Sequence, residues 1–407
     1  MQVKLADFIR DTSEGQEAQA ILRACVHCGF CTATCPTYQI LGDELDGPRG
    51  RIYLIKQALE GVRPGAATQQ HLDRCLTCHS CETTCPSGVQ YGRLLDIGRT
   101  VVDARVVRPM RERVLRATLR ALCTGPLFGA LLNLGRLLRP VLPASLRERI
   151  PQRRPCGAWP RRQHGRRMLL LTGCVQPAMA PNINAATARV LDALGVQLLV
   201  PPAAGCCGAI RQHLGDPPGA LREARRNIDA WWPHVQDGVE AIVMNASGCG
   251  AQVREYAHAL RGDPAYADKA ARIAALTRDL AELLPPMLPA LRSRLRPLAP
   301  QRLVFHPPCT LQHALKLRGL VEPLLRALGA QVQAFEDSHL CCGSAGTYSL
   351  TQPKLAQELR ERKLHALMAG SPEAILSANI GCIAHLAARA RVPVQHWIEW
   401  LDARMEY

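Results

Sequence analysis

Eight cysteines ahead of residue 90 fall into two copies of one spacing. The first reads Cys25-Val-His-Cys28-Gly-Phe-Cys31-Thr-Ala-Thr-Cys35-Pro36, the second Cys75-Leu-Thr-Cys78-His-Ser-Cys81-Glu-Thr-Thr-Cys85-Pro86. Intervals of three let a tight loop offer three thiolates to three irons of one cube, while the fourth cysteine points away and the proline redirects the chain. Zinc also takes CxxC pairs, but it needs only four ligands and calls for neither a third evenly spaced cysteine nor a trailing Cys-Pro, twice over. The chemistry read here is therefore that of two [4Fe-4S] clusters. His27 and His79 lie inside the loops; with four thiolates available to each cube, they are expected to tune the clusters rather than to ligate them.

A second regime of cysteines begins after residue 170. Cys174 lies 32 positions before Cys206, and Cys206-Cys207-Gly208 is followed by Cys249; Cys309 again lies 32 positions before Cys341, and Cys341-Cys342-Gly343 is followed by Cys382. The flanks repeat as well: RRMLLLTGC parallels QRLVFHPPC, RVLDALGVQLLV parallels PLLRALGAQVQAF, and AIVMNASGC parallels AILSANIGC. Such self-similarity marks a duplicated unit. Each copy offers four thiols that could hold a zinc ion or a further iron–sulfur cluster, with His385 as an added ligand in the second copy. Reduced thiols packed as small apolar groups are the alternative. Cys123 and Cys156 fit neither pattern and are expected to be bystanders.

The elements that must position these groups differ along the chain. Around the clustered cysteines, stretches such as PRGRIYLIKQALEG read as helix and no strand is evident. Within each later copy, MLLLT, VQLLV and AIVMNA read as short strands separated by helices such as NINAATARVLDALG, ended by Gly195. That alternation predicts a parallel sheet covered by helices, with the cysteines at or beyond strand ends, where such folds place ligands. The expected division is 1–110 for the helical cluster domain, 111–165 for a basic apolar linker, 166–300 for the first repeat and 301–407 for the second. In the linker, 15 uncharged residues between Arg120 and Arg136 are too few to span a bilayer. A buried packing helix is expected there, the alternative being an interfacial or partner-docked helix. In Asp46-Gly-Pro-Arg49-Gly-Arg51, an Asp-Gly turn capping the next helix competes with a basic pair that offsets cluster charge.

The chain has 407 residues, 18 of them cysteine, and a formal net charge of +16. Its start, MQVKLADFIRDTSEGQEAQA, lacks the apolar core of a secretory leader, so a secreted disulfide scaffold is a poor account of the cysteines. The positive charge is almost all arginine and is spread along the chain, which suits an acidic partner or an anionic membrane surface better than nucleic acid. No G-x-G-x-x-G between strand and helix and no G-x-x-x-x-G-K is present, which removes the usual cradles for flavin or nicotinamide dinucleotides and nucleotide triphosphates.

The early spacing is similar to that of two-cluster bacterial ferredoxins, in which the fourth cysteine of each motif ligates the other cube. That resemblance implies cluster 1 on Cys25, Cys28, Cys31 and Cys85, and cluster 2 on Cys75, Cys78, Cys81 and Cys35. The later copies resemble the cysteine-rich CCG domain of heterodisulfide reductases and of several membrane-linked dehydrogenases. The family pattern ends in CxxC, whereas here the copies end Cys249-Gly-Ala-Gln252 and Cys382-Ile-Ala-His385. Together with ELDGPRGRIYLIKQALEG, HLDRCLTCHSCETTCPSGVQYGRL, ASGCG and HPPCTLQH, the arrangement resembles the iron–sulfur subunits of bacterial glycolate oxidase. The resemblance implies a multidomain fold, with a mostly α-helical two-cluster ferredoxin domain followed by two repeated α/β CCG domains. It also implies a non-flavin subunit that takes electrons from partner flavin-binding subunits oxidising glycolate to glyoxylate and passes them toward a quinone or other acceptor. The subunit would be inactive alone. Related subunits of lactate and glycerol-3-phosphate dehydrogenases, and a heterodisulfide-reductase-like thiol/disulfide reductase, are the alternatives. The expected location is cytoplasmic, with peripheral attachment to the inner face of the cell membrane as an option.

Overall fold

Apolar residues three and four apart in the cluster-bearing region give helices and no strand among residues 1–110. In the helix Pro48–Leu59, Ile52, Ile55, Ala58 and Leu59 turn inward; in the helix Tyr91–Asp103, Leu94, Leu95 and Val102 do so. The two helices approach closely because position 98 is glycine: a Cβ there would lie 2.6 Å from Ile55 Cγ1. Leu22, Ile55, Leu59 and Leu94 are fully buried in the resulting core, each contributing about 1.5–3 kcal/mol. The computed structural model describes all residues except 144–146, 148, 149, 151, 153 and 298.

Residues 166–407 build two four-stranded parallel sheets. The first has β1 (Arg166–Leu170), β2 (Val196–Leu199), β3 (Ile242–Met244) and β4 (Thr277–Asp279) in the order β2-β1-β3-β4. The second has β5 (Arg302–His306), β6 (Gln331–Gln333), β7 (Ala374–Ser377) and β8 (Val394–His396) in the order β6-β5-β7-β8. The central strands are apolar runs covered on both faces, as parallel sheets require. The duplication is thus structural as well as sequential. Sequence anticipated three strands per copy; the fourth, Thr-Arg-Asp or Val-Gln-His, is a three-residue edge strand too short and polar to announce itself. Each fourth strand runs into a short helix through a capping box, Asp279 with Glu282 and His396 with Glu399.

By contact density the chain separates into two units, residues 1–117 with 337–363 and residues 118–336 with 364–407. These limits run across the four-part division expected above, because the segment carrying Cys341 and Cys342 is compact with the helical region rather than with its own sheet.

The linker corrects another expectation. It forms the helices Met110–Thr124 and Leu127–Leu138, and the second has no buried residue. Its inner side, at Gly129 and Arg136, rests on the helix Gln176–Met179, with Arg136 donating to the Met179 carbonyl at 3.3 Å. The leucines therefore face outward: Leu127 is 63%, Leu134 50% and Leu137 77% exposed. It is not a buried packing helix.

Candidate functional site

Both clustered motifs wrap their loops by the same backbone device. His27 and Thr77, each two residues after the first cysteine, have φ of 58° and 53°; Gly29 and His79, each just after the second, have 86° and 59°. Non-glycine residues in this left-handed region cost about 1–3 kcal/mol each and persist where the surroundings over-determine them. The repetition in two independent loops points to a shared demand, which is to turn three thiols toward one centre.

Cys25, Cys28 and Cys31 line one cavity together with Cys81 and Cys85 from the other motif. Burial pushes the Cys31 thiol up to about 11, and Cys25, Cys28 and Cys85 act on it as neighbouring charges. Burial likewise drives the Cys81 thiol far up, reinforced by Cys78, Cys75 and Cys35. Two groups of four thiols therefore assemble, and in each the fourth member comes from the opposite motif. Burial and mutual repulsion of this kind oppose holding several bare thiolates; a cationic iron core relieves both, so the donor sets suit thiolate-held clusters.

The two groups differ in surroundings. In the first, Cys25 is buried, Cys31 and Cys85 are half-buried and Cys28 is exposed, whereas Cys35, Cys75, Cys78 and Cys81 are all buried. Cys75 Sγ accepts from the Thr77 backbone N–H at 3.5 Å and from the Tyr91 hydroxyl at 3.6 Å. Arg51 and Arg99 hold the Cys75 thiol below its ordinary value although burial acts the other way. The Tyr348 hydroxyl, from the second repeat, donates to the Arg74 carbonyl at 2.9 Å, one residue before Cys75.

Asp46 does not cap the following helix. Gly47 occupies the N-cap and Pro48 the first turn, which needs no donor there. The Asp46 carboxylate is instead fully buried between Arg51 at 3.3 Å and Arg74 at 2.7 Å. It also clusters with Asp43 and His71 in a geometry that could suit a cation, but two guanidiniums on Asp46 make a metal there unfavourable.

In the first repeat, Cys174 follows β1, Cys206 and Cys207 follow β2, and Cys249 lies in the helix Ser247–Arg254 after β3. All four thiols meet. Cys206 hydrogen-bonds with Cys174 and then Cys207, which lowers it, and Cys207 bonds in turn with Cys249. The Cys-Cys backbone is held from behind: Asn227 donates to the Cys206 carbonyl at 2.7 Å and Tyr256 to the Cys207 carbonyl at 2.8 Å. Cys123, expected as a bystander, is half-buried in the preceding helix, and its thiol is raised by burial and then by Cys206.

In the second repeat, Cys309 follows β5 and Cys382 lies in the helix Ile380–Ala387 after β7, with Asn379 Nδ2 donating to its sulfur at 3.6 Å. His385 is one turn further along that helix. Cys341 and Cys342 belong to the 337–363 segment. The glycine after each cysteine pair explains the CCG signature. Gly208 and Gly343 have φ of 95° and 86°, and each donates its N–H to the first cysteine's sulfur, at 3.3 and 3.4 Å. A Cβ on Gly343 would stand 2.6 Å from the Ala356 carbonyl oxygen.

Thr37, Arg51, Tyr91, Arg99, Asn227 and Tyr256 were not identified as cluster supports from sequence, except that Arg51 belonged to the competing basic-pair reading. Thr37 lies beside Cys35, 3.3 Å from its sulfur, but the others stand far in sequence from the cysteines whose sulfur or carbonyl they support, and no spacing rule marks them.

The comparisons agree with this layout. A profile of the 4Fe-4S dicluster domain matches residues 21–89, and one of the cysteine-rich domain matches 168–254 and 303–387. The chain is 54% identical over 409 residues to the glycolate oxidase iron-sulfur subunit of Escherichia coli, covering 100% of both chains. It is 30% identical over 390 residues to the probable glycolate oxidase iron-sulfur subunit of Bacillus subtilis, covering 88% of this chain and 87% of that one. Lactate utilization protein A of Bacillus subtilis is 26% identical over 241 residues, 58% of this chain and 98% of the relative.

Proposed function

We infer, from the premise that the chain belongs to the family of glycolate oxidase iron–sulfur subunits, that it is the electron-transfer subunit of a glycolate-oxidising complex. The observation that carries this reading is the pairing of each three-cysteine loop with the fourth cysteine of the other motif, which sets two four-thiol sites side by side in one helical unit. Cys25, Cys28, Cys31 and Cys85 would hold one [4Fe-4S] cluster and Cys75, Cys78, Cys81 and Cys35 the other. Cubane clusters accept and release single electrons, whereas oxidation of glycolate to glyoxylate removes two and needs a hydride acceptor such as flavin. The chain's own residues keep the thiolates fixed, donate hydrogen bonds to sulfur, and shield the Cys75 site from water. The four-thiol site of the first repeat would hold a further cluster or zinc. Flavin-bearing partner subunits supply the electrons, and a quinone or another acceptor removes them. Glycolate is favoured over lactate because the glycolate oxidase relatives extend over most or all of this chain, while the lactate utilization relative covers 58% of it. Co-expression with candidate flavoprotein subunits tests the reading: a flavin chain should co-purify and confer glycolate-dependent dye reduction. Lactate-dependent reduction without a glycolate response would contradict it.

A peripheral location on the inner face of the membrane completes the proposal. Among the described residues no single helix is long and apolar enough to cross a bilayer; only the linker pair Met110–Thr124 and Leu127–Val141, bent by 94°, reaches that length and composition together. The Leu127–Leu138 helix instead presents Leu127, Leu131, Leu134 and Leu138 to the outside. Between residues 110 and 141 there are six arginines and one acidic residue, Glu112. An apolar stripe with cationic flanks suits an anionic lipid surface. The protein should co-sediment with phosphatidylglycerol-containing vesicles, and Leu131→Glu with Leu134→Glu should weaken binding about tenfold or more. Equal binding of wild type and double variant would contradict the assignment.

A further inference from the structure

Arg51 is 1% exposed and ranks among the largest fully buried side chains of the protein. Its guanidinium donates to the His71 carbonyl at 2.7 Å, to Thr37 Oγ1 at 3.1 Å and to Asp46 Oδ1 at 3.3 Å. Thr37 Oγ1 in turn lies 3.3 Å from Cys35 Sγ. A buried cation is tolerated where anions face it, but the one buried carboxylate here is Asp46; Asp43, which clusters with it, is exposed and screened by solvent. Asp46 is shared, because its other oxygen pairs with Arg74, so one carboxylate serves two guanidiniums. Arg99 adds a further cation behind the Cys75 loop, bonding the Leu72 and Cys75 carbonyls at 2.8 and 2.9 Å and Thr77 Oγ1 at 3.1 Å. Glu82, the other carboxylate near Cys81, is paired with His79 at 3.1 Å. A surplus of positive charge, on the buried Arg51 and the half-buried Arg74 and Arg99, thus flanks the Cys35/Cys75/Cys78/Cys81 set.

The other set has no such surplus. The cations beside it are reached by solvent: Arg49, which lines the Cys28 cavity, has a side chain 38% exposed and is paired at 2.6 Å with Glu44, and the half-buried N-terminal ammonium of Met1 donates to the Cys25 carbonyl at 2.8 Å. Solvent screens a charge placed there.

We propose that Arg51 makes the Cys35/Cys75/Cys78/Cys81 cluster the electron sink of the pair, so that electrons enter at the exposed Cys28 edge and settle on the buried cluster. This rests on the two-cluster reading above. An added electron deepens the negative charge of a thiolate-held cube. Burial alone opposes that, but the same low dielectric strengthens the attraction of an unscreened guanidinium, and hydrogen bonds to sulfur act in the same direction. With both clusters held by these cysteines, the step would transfer one electron from the exposed set to the buried one, with no proton or bond change.

Potentiometric EPR titration of the full-length, iron-loaded chain tests this, with Cys28→Ser and Cys78→Ser identifying which signal belongs to which site. The centre perturbed by Cys78→Ser should be reduced first. Arg51→Gln should lower its reduced-to-oxidised ratio about tenfold at the wild-type midpoint, while Arg51→Lys retains most of the ratio and the exposed centre moves less than about twofold. Prior reduction of the exposed centre in the wild type would overturn the proposal, as would an unchanged ratio in iron-replete Arg51→Gln. Should Arg51→Gln lose iron, the wild-type order of reduction and the Arg51→Lys titration decide. Absence of two EPR-active centres in the wild type would instead count against the electron-transfer reading itself.

Discussion

Replacing Cys85 by Ala should lower iron from about eight to about four per chain in the ferredoxin-type unit, and the surviving EPR signal should match that of Cys28→Ala rather than that of Cys81→Ala. The reason lies in the crossing of the motifs. Cys85 follows Cys81 by four residues, yet Cys85 acts on Cys31 together with Cys25 and Cys28, whereas Cys81 is acted on by Cys78, Cys75 and Cys35. The same argument makes Cys35→Ala resemble Cys78→Ala, because Cys35 acts on Cys81 from the other motif. A ligand set confined to one motif would give the opposite pairing, with Cys85→Ala indistinguishable from Cys81→Ala. Anaerobic iron analysis with EPR of the reduced proteins separates the two.

Asp46→Ala should be the most destabilising single change outside the ligands. It would leave the Arg51 guanidinium, 1% exposed, without its carboxylate. Breaking a buried pair in this way costs about 3–5 kcal/mol, because the remaining charge is uncompensated. The neighbouring Arg49–Glu44 pair provides the contrast. Its side chains are 38% and 41% exposed, and removing Glu44 should cost about 0–1 kcal/mol. Thermal unfolding followed through the cluster absorbance checks both; equal shifts for Asp46→Ala and Glu44→Ala would contradict this account of the site. The outcome also bears on Arg51, since Asp46 holds it next to Thr37 and Cys35.

Much of this architecture was legible in the sequence because cysteine spacing and strand periodicity are local signals. The C-x2-C-x2-C-x3-C-P loops and the repeated C-x31-CCG pattern located both classes of thiol site, and the apolar runs MLLL and AIVM located central strands of a parallel sheet. What escaped depends on distance or on sidedness. Asp46 before Gly47 reads as a turn, and nothing local says that its carboxylate will reach Arg74, 28 residues away. Leucines at 127, 131, 134 and 138 define one helix face, but the pattern alone does not say which face meets solvent. The small Gly129 face decides it by seating on Ala178. Cys123 comes within electrostatic reach of Cys206 only through the fold of the linker helix. The compactness of 337–363 with the helical region is likewise a tertiary fact, to which the Tyr348 bond to Arg74 contributes.

The most direct test of the central claim is to add glycolate anaerobically to the complex of this chain with the flavin-bearing partner proposed above and record the EPR spectrum. Reduced [4Fe-4S] signals should appear, and Cys78→Ala should remove the component assigned to the buried cluster. If glycolate bleaches the flavin and drives dye reduction while the clusters of this chain stay oxidised, electrons do not pass through it.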